Sequence, residues 1–188
     1  MQKVISLFKR DYEGTHLVYN EIVEGAEWVV NGEGVATEKI DGTSCLLQAG
    51  KLYKRYDAKK GKTPPQAFVP AQPEPDPVTG HWPGWLPVNG DPQDKWHRIA
   101  RAGIIEAPPG TYEDGTYELV GPKVQGNKYG LDSHLFRLHG DKILEGVPRD
   151  FDGLKNYLTT HPEYEGIVWH QGDGRMVKIK RRDFGLPW

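Results

Sequence analysis

The sequence predicts an α+β protein that is rich in antiparallel strands. Gly and Pro number 23 and 15 among 188 residues, so turns and loops are frequent. Short runs of β-branched, aromatic and aliphatic residues are separated by Gly, Asn and Asp, as in strands that are joined by turns. A chain of this length can bury a substantial core in one domain, so we expect a single domain over residues 1–188.

Nine runs are predicted to be strands: Thr15–Tyr19, Glu27–Val30, Val35–Ile40, Ser44–Gln48, Leu52–Tyr56, Thr116–Val120, His134–Leu138, Gly166–His170 and Met176–Lys180. Two stretches are predicted to be helices. The first begins at Asp91-Pro92, where a capping residue precedes proline, and ends at Gly103. The second spans about Asp150 to Thr160, where apolar residues recur at helical spacing.

A proline-rich insertion at about residues 63–92 separates the fifth and sixth predicted strands. It holds nine of the fifteen prolines. Proline lacks a backbone donor and disfavours helices and central strands, so the insertion is predicted to be irregular. Loops of this length are usually functional or disordered. Trp82 and Trp85 indicate that part of it packs, which favours an ordered lid or a substrate-contacting loop over a linker.

Composition excludes several classes of protein. No run of eighteen apolar residues occurs, and residues 1–5 lead into no long apolar stretch, so we expect neither a membrane span nor a secretory signal. A single cysteine, Cys45, excludes an internal disulfide framework and predicts a reducing, cytoplasmic setting. The seven histidines lack the paired spacing of a structural zinc site. His134, His139 and His170 could contact phosphate, but isolated histidines are more often surface groups or satisfied core groups, and we interpret them as such.

The net charge of −2 does not by itself indicate a nucleic-acid partner. Basic residues nevertheless gather in two clusters: Lys51, Lys54, Arg55, Lys59, Lys60 and Lys62, and Lys178, Lys180, Arg181 and Arg182. They fit two solvated faces or one phosphate-binding surface divided between two segments, and charge alone leaves both interpretations open.

Lys39 is the candidate nucleophile. In a strand, alternation places Lys39 and Asp41 on one face and Ile40 on the other. Covalent catalysis needs a neutral amine, which burial and neighbouring cations favour. Gly42 would then let the chain turn tightly beside a ligand. The Lys-x-Asp-Gly pattern alone is short, and it favours a hairpin edge with an Asp-Gly turn and an exposed lysine.

Three runs farther along the chain supply the groups that a reactive lysine needs. The strand-like run around Glu118 buries its neighbours and turns this carboxylate to the opposite side. Glu165 precedes a glycine and a β run. The last predicted strand places Lys178 and Lys180 on one face and apolar residues on the other.

In this order and spacing, these residues resemble the covalent nucleotidyltransferase superfamily of ATP-dependent DNA ligases, RNA ligases and RNA capping enzymes. The resemblance covers roughly Val35 to Lys180. The stretches Glu38–Cys45 and Glu118–Asn127 are most similar to the small 5′-to-3′ RNA ligases related to vertebrate RNA ligase 1. The resemblance implies an antiparallel-rich adenylyltransferase domain of the ATP-grasp-like ligase catalytic type.

The resemblance also implies roles for individual residues. Lys39 looks like the nucleophile, and Lys178 and Lys180 look like paired lysines near the α-phosphate. Glu165, with Asp41 nearby, is implied to hold Mg²⁺ or Mn²⁺. The residues implied to contact the nucleotide are Glu38, Lys39, Asp41, Gly42, Arg55, Glu118, Lys178 and Lys180. Among these, Glu38 would read the base, Arg55 would be the basic residue that follows the nucleophile, and Glu118 would contact the ribose.

The implied activity is ATP-dependent RNA joining through a lysyl-AMP intermediate and an adenylylated 5′ end. Its cofactors are ATP and Mg²⁺ or Mn²⁺, its partner is RNA with 5′-phosphate and 3′-hydroxyl ends, and RNA repair is its expected setting. A protein partner is not indicated. Only eight residues follow Lys180, so we expect no OB-fold domain. The basic clusters and the proline-rich insertion are the candidate substitutes for its clamp.

Three alternatives remain open. The same chemistry can act on nicked DNA or transfer GMP in capping. A non-catalytic nucleotide- or RNA-binding module would keep the fold without needing the nucleophile. A structural β domain would not explain why several functional residue types occur in the family order.

Overall fold

A computed structural model describes residues 3–106 and 112–188, with the side chains of residues 105 and 106 also left undescribed. Met1 and Gln2, which belong to the segment predicted not to be a secretory signal, lie outside the described residues. The described chain forms two compact units. The small-sheet unit comprises Val4–Ile40 and Gly140–Trp188, and the large-sheet unit comprises Lys3 and the described residues of Asp41–His139.

The strands of the described chain are β1 (Ile5–Ser6), β2 (Phe8–Arg10), β3 (Val18–Ile22), β4 (Val35–Lys39), β5 (Thr43–Gln48), β6 (Lys51–Ala58), β7 (Val69–Pro70), β8 (Trp82–Pro87), β9 (Gly115–Val120), β10 (Leu135–Leu138), β11 (Gly166–His170) and β12 (Met176–Lys180). The α-helices are α1 (Glu27–Val30), α2 (Lys95–Glu106) and α3 (Phe151–Thr160). Two 3₁₀ turns, Pro92–Asp94 and Arg181–Phe184, precede α2 and follow β12. The described chain is therefore α+β, as predicted.

The small-sheet unit contains a sheet with the strand order β1-β12-β11-β4 and a separate hairpin of β2 and β3. β11 pairs antiparallel with both β4 and β12. One face of this sheet covers a core that includes Ala36, Ile167, Trp169 and Ile179. Leu158 of α3 joins the same core. The other face therefore keeps the alternate residues of β4, β11 and β12.

The large-sheet unit contains a sheet with the strand order β10-β9-β5-β6-β8-β7, whose pairs are antiparallel. Its core lies on one face of the sheet, where Cys45, Leu52, Tyr117 and Phe136 meet Ala100 of α2. Cys45 is fully buried, and burial raises the pKa of its thiol far above the ordinary value. Cys45 is therefore a small core residue and not a reactive thiol.

Most of the predicted elements are confirmed, one predicted strand is wrong and another is displaced. Glu27–Val30 is the helix α1, a single turn in which Trp28 and Val29 are buried. The strand predicted at Thr15–Tyr19 begins at Val18, since Asp11 accepts hydrogen bonds from the backbone of Gly14 and Thr15 and holds that stretch in a turn. Both predicted helices are present: the first is displaced by a few residues to Lys95–Glu106, and the second agrees within one residue.

The insertion at residues 63–92 is more regular than predicted. Its last part forms β8, which pairs with β6 along its whole length. On its other side β8 pairs with β7, with Val69 opposite Trp85 and Pro70 opposite Gly84. Pro83 and Pro87 lie on either side of this short β7 contact, where no backbone donor toward β7 is needed. Trp85 is 2% exposed, so the predicted packing of this tryptophan is confirmed. Among the described residues, no helix is long and apolar enough to cross a membrane.

Candidate functional site

Lys39 is the last residue of β4, at the edge of the small-sheet core. Gly166 of β11 lies directly opposite Lys39 on one side and Lys180 of β12 on the other. Residues that face each other across antiparallel strands project from the same side of the sheet. Lys39 and Lys180 therefore flank a position that has no side chain.

Gly166 is required at this position by close packing. A Cβ there would lie 2.2 Å from the carbonyl oxygen of Ile179 and 2.9 Å from the Cα of Lys180. Any side chain would push β11 away from β12. The glycine thus allows β11 to pack closely against β12, the strand that carries Lys180, which explains the glycine after Glu165.

Glu165 is the direct partner of Lys39. Its Oε2 lies 2.6 Å from Lys39 Nζ, and the residue is 6% exposed. Lys39 Nζ also lies 3.5 Å from its neighbour's carbonyl oxygen, that of Ile40. A buried carboxylate without a compensating cation would be costly, so the pair accounts for the burial of Glu165. The structure brings together the predicted nucleophile and one predicted metal ligand.

Lys178 lies two residues before Lys180, so the two side chains share a face of β12. The pKa of Lys178 is lowered to about 8, first by burial and then by the positive charges of Lys39 and Lys180. The negative charges of Asp183 and Glu165 act in the opposite direction. A concentrated positive field of this kind suits a ligand with several negative charges.

The backbone at the end of β12 is fixed by Asp183. Its Oδ2 accepts a hydrogen bond of 2.8 Å from the backbone N–H of Lys180, and its Oδ1 pairs with Arg10. Asp183 is 1% exposed. This buried carboxylate therefore fixes the backbone of Lys180, a role that the sequence pattern does not reveal.

Glu38 faces away from Lys39, because adjacent strand residues alternate between the two sides of the sheet. It is 6% exposed, and its Oε2 lies 3.4 Å from Nζ of Lys142. Lys142 also lies over the ring of Tyr164, 4.6 Å from its centroid, and its carbonyl oxygen accepts a hydrogen bond from the backbone of Glu38. The segment around Lys142 thus continues the sheet beyond β4.

Asp41 and Gly42 belong to the large-sheet unit. β4 ends at Lys39, so the prediction that strand alternation continues to Asp41 is wrong. The backbone N–H of Asp41 donates a hydrogen bond of 2.7 Å to the hydroxyl of Tyr129. A Cβ at Gly42 would lie 2.2 Å from the carbonyl oxygen of Leu119, so glycine is needed there for packing against β9.

Glu118 lies on β9 and is 9% exposed. Its Oε2 lies 2.6 Å from Nε2 of His139, in the same unit. His139 is therefore neither a surface group nor a fully satisfied core group. The predicted orientation of Glu118, away from the core side of its strand, is confirmed by the burial of Tyr117 and Leu119 in the large-sheet core.

Arg55 lies on β6, opposite Trp85 of β8. Its guanidinium lies 5.4 Å from the centroid of the Trp85 ring and pairs with Asp57 at 2.8 Å. The tryptophan and the carboxylate hold this cation in a defined position at the sheet surface. Arg55 and Glu118 lie in the large-sheet unit, whereas Lys39, Glu165, Lys178 and Lys180 lie in the small-sheet unit.

Two members of the basic clusters have structural partners inside the fold. Arg181 is 4% exposed, and its guanidinium donates to the carbonyl oxygens of Leu158, His161 and Pro187. Lys54 pairs with Asp94, which is completely buried. These two cations hold the fold together, which alternation and charge counting do not reveal. The remaining exposed members are Lys51, Lys59, Lys60, Lys62 and Arg182.

Comparison with known proteins finds similar proteins that match most of the chain. The family model described as RNA ligase 1 matches residues 100–188, a range that holds Glu118, Glu165, Lys178 and Lys180. RNA ligase 1 of Mus musculus is 30% identical over 222 residues, covering 82% of this chain and 68% of the mouse protein.

Two further relatives give the same result. RNA ligase 1 of Pongo abelii is 30% identical over 227 residues, covering 82% of this chain and 68% of that protein. RNA ligase 1 of Danio rerio is 28% identical over 249 residues, covering 96% of this chain and 76% of that protein. The predicted family resemblance is confirmed, and the chain belongs to the RNA ligase 1 family.

Proposed function

We propose that the chain is an ATP-dependent RNA ligase that joins 5′-phosphate and 3′-hydroxyl ends through a lysyl-AMP intermediate. Family membership supports the class of reaction, since the relatives are named RNA ligase 1. The observation that carries the mechanism is the grouping of a nucleophile, a carboxylate and two cations at neighbouring strand ends, where Lys39 pairs with Glu165 and contributes to the field that lowers the pKa of Lys178.

In the first step, Lys39 releases a proton to the solvent, and its neutral amine attacks the α-phosphorus of ATP. A phosphorus–nitrogen bond forms, the bond between the α- and β-phosphates breaks, and pyrophosphate leaves. Lys178 and Lys180 balance the charge on the triphosphate while Lys39 becomes attached to AMP. Transfer of this kind depends mainly on positioning and charge neutralisation, and both lysines are suited to it.

In the second step, an oxygen of the RNA 5′-phosphate attacks the AMP phosphorus, and the bond to Lys39 breaks. The amine is thereby restored, and the RNA end carries a pyrophosphate bridge to AMP. In the third step, a 3′-hydroxyl attacks the RNA 5′-phosphate and AMP leaves. Lys178 and Lys180 serve all three steps, because each step is an attack on a phosphorus atom whose negatively charged oxygens need compensating positive charge.

Mg²⁺ or Mn²⁺ is part of the proposal, with Glu165 as a ligand. Among residues 3–106 and 112–188, no three His, Cys, Asp or Glu side chains form a group that could hold a metal ion. A single buried carboxylate fits the usual mode of Mg²⁺, which takes one or two carboxylates and completes its shell with substrate phosphates and water. When bound, the ion would neutralise phosphate charge. Asp41 remains the second predicted ligand.

The other roles in the nucleotide site remain proposals from the family resemblance. Glu118 would accept a ribose hydroxyl, Arg55 would be the basic residue that contacts the nucleotide, and Gly42 would follow the nucleophile in its tight turn. Glu38 would contribute to base recognition, with its carboxylate held by Lys142. We also propose that residues 1–188 form the ligase catalytic fold and include no OB-fold domain.

The proposed function is tested by ligation of matched RNA and DNA substrates, each as a single strand and as a nick. Every substrate carries a 5′-phosphate and a 3′-hydroxyl, and the reaction contains ATP and Mg²⁺. We expect joined RNA from the unaltered protein and none from the Lys39→Ala variant. Lys155→Ala, an exposed lysine on α3, is the matched control and should ligate normally. Joining of DNA but not RNA would overturn the assignment.

A further inference from the structure

A row of polar side chains crosses the large sheet at Glu118. Ser44 of β5 and Arg137 of β10 lie directly opposite Glu118 in the two neighbouring pairings. The three side chains therefore project from the same face, opposite the core that holds Tyr117. The row lies entirely within the large-sheet unit.

His139 contacts this row from the end of β10. Its backbone N–H donates to the carbonyl oxygen of Thr116, 3.1 Å away, so its position beside β9 is fixed by the main chain. Its Nε2 then lies 2.6 Å from Oε2 of Glu118. The two side chains are 17% and 11% exposed. This contact orients the Glu118 carboxylate within a largely water-excluded site.

Two buried polar atoms in the same place have no partner within the described residues. They are Nδ1 of His139 and Oγ of Ser44. Buried polar atoms are almost always hydrogen-bonded in native proteins, so a pair of exceptions beside one carboxylate indicates a place that a polar ligand completes. A hydroxyl group both donates and accepts, which matches a carboxylate next to a serine.

We propose that His139 is a positioning residue that makes the nucleotide site selective for a ribose hydroxyl. Nε2 of His139 holds one oxygen of Glu118, so that the carboxylate presents its other oxygen to the hydroxyl, with Oγ of Ser44 beside it. This inference rests on the proposed function, in which Glu118 contacts the ribose. The competing interpretation is a hydrogen-bonded pair that only stabilises the sheet.

Selectivity separates the two interpretations, since a purely structural pair would not favour one sugar over another. The kcat/KM for lysyl-AMP formation is measured with ATP, 2′-deoxyATP and 3′-deoxyATP. We expect the unaltered protein to prefer ATP by about tenfold or more over at least one deoxy analogue, the size expected for a hydrogen bond to a charged group. The analogue that is rejected identifies the hydroxyl.

Three substitutions of His139 test the role of Nε2. His139→Leu removes it, and His139→Asn places an amide nearer to the position of Nδ1. Both should reduce the preference to roughly threefold or less by raising the KM for ATP while leaving the rejected analogue nearly unaffected. His139→Gln places an amide N–H near the position of Nε2 and should keep most of the preference. His81→Leu, at an exposed histidine of the same unit, should change nothing.

Each result decides the inference. A preference that persists in His139→Leu and His139→Asn overturns it and leaves the proposed function intact. If His139→Leu does not fold, the comparison of the two amide variants still decides, because equal preferences in Asn and Gln variants contradict a role for Nε2. An unaltered protein that forms no lysyl-AMP from ATP overturns the proposed function together with this inference.

Discussion

Replacing Lys178 by methionine is expected to stabilise the protein while it reduces lysyl-AMP formation. The folded state holds Lys178 partly buried and near the positive charges of Lys39 and Lys180, and its pKa is lowered from 10.5 to about 8. Methionine keeps an unbranched side chain of similar length and removes the charge. The variant therefore loses the unfavourable burial of an ammonium group.

The size of the effect follows from the two pKa values. The difference between 10.5 and about 8 is roughly 2.5 pH units, and each unit corresponds to about 1.4 kcal/mol. Protonated Lys178 therefore costs the folded state up to about 3.5 kcal/mol below pH 8. Between about pH 8 and 10.5 the folded state has released the proton and the unfolded state has not, so the free energy of unfolding rises with pH.

The assay is urea unfolding of the unaltered protein, Lys178→Met and the control Lys155→Met at several pH values from 7 to 10.5. The stability gained by Lys178→Met should be largest near pH 7 and should shrink toward pH 10.5, while Lys155→Met shows no such trend. Equal stability of Lys178→Met and the unaltered protein at pH 7, or a gain that grows with pH, would refute this reasoning.

Three further predictions concern packing. Arg181→Met should lower the free energy of unfolding by about 3 kcal/mol, because it leaves buried carbonyl oxygens without donors, whereas exposed Arg182→Met should change it by less than about 0.5 kcal/mol in the same urea titration. Gly166→Ala should cost about 3 kcal/mol or more, since its Cβ would meet a carbonyl oxygen at 2.2 Å, while Gly90→Ala, which meets nothing within 4 Å, should be nearly neutral. Gly103→Ala, at an open position within α2, should raise the thermal unfolding midpoint by an amount equivalent to about 0.5–1 kcal/mol. A destabilised Gly103→Ala variant, or an Arg182→Met variant as unstable as Arg181→Met, would contradict these assignments.

The sequence predicts the strands that carry the candidate site better than the elements around them. β9 and β12 alternate clearly between polar and apolar residues, whereas Lys39 is placed beside Gly166 only once the pairing of β4 with β11 is known. Alternation within one strand also indicates that Lys178 and Lys180 share a face. Pairing between distant strands, by contrast, is a property of the folded sheet that local patterns do not contain.

Other features could not be predicted because they depend on partners that are far away in the sequence. His139 is an isolated histidine in the sequence, and only pairing of β10 with β9 brings it to Glu118. Arg181 belongs to a basic run, yet the carbonyl oxygens that it contacts come from α3 and the carboxyl-terminal residues. Glu27–Val30 has the composition of a strand, yet it forms a helical turn in which Trp28 and Val29 are buried.

Lysyl-AMP formation is the most direct test of the central claim that Lys39 is the nucleophile. The protein is incubated with α-labelled ATP and Mg²⁺, denatured and digested, and the labelled peptide is sequenced. We predict AMP on Lys39 in the unaltered protein and in Lys155→Ala, and none in a folded Lys39→Ala variant. Covalent AMP on Lys39→Ala, or label on another residue of the unaltered protein, would contradict the account.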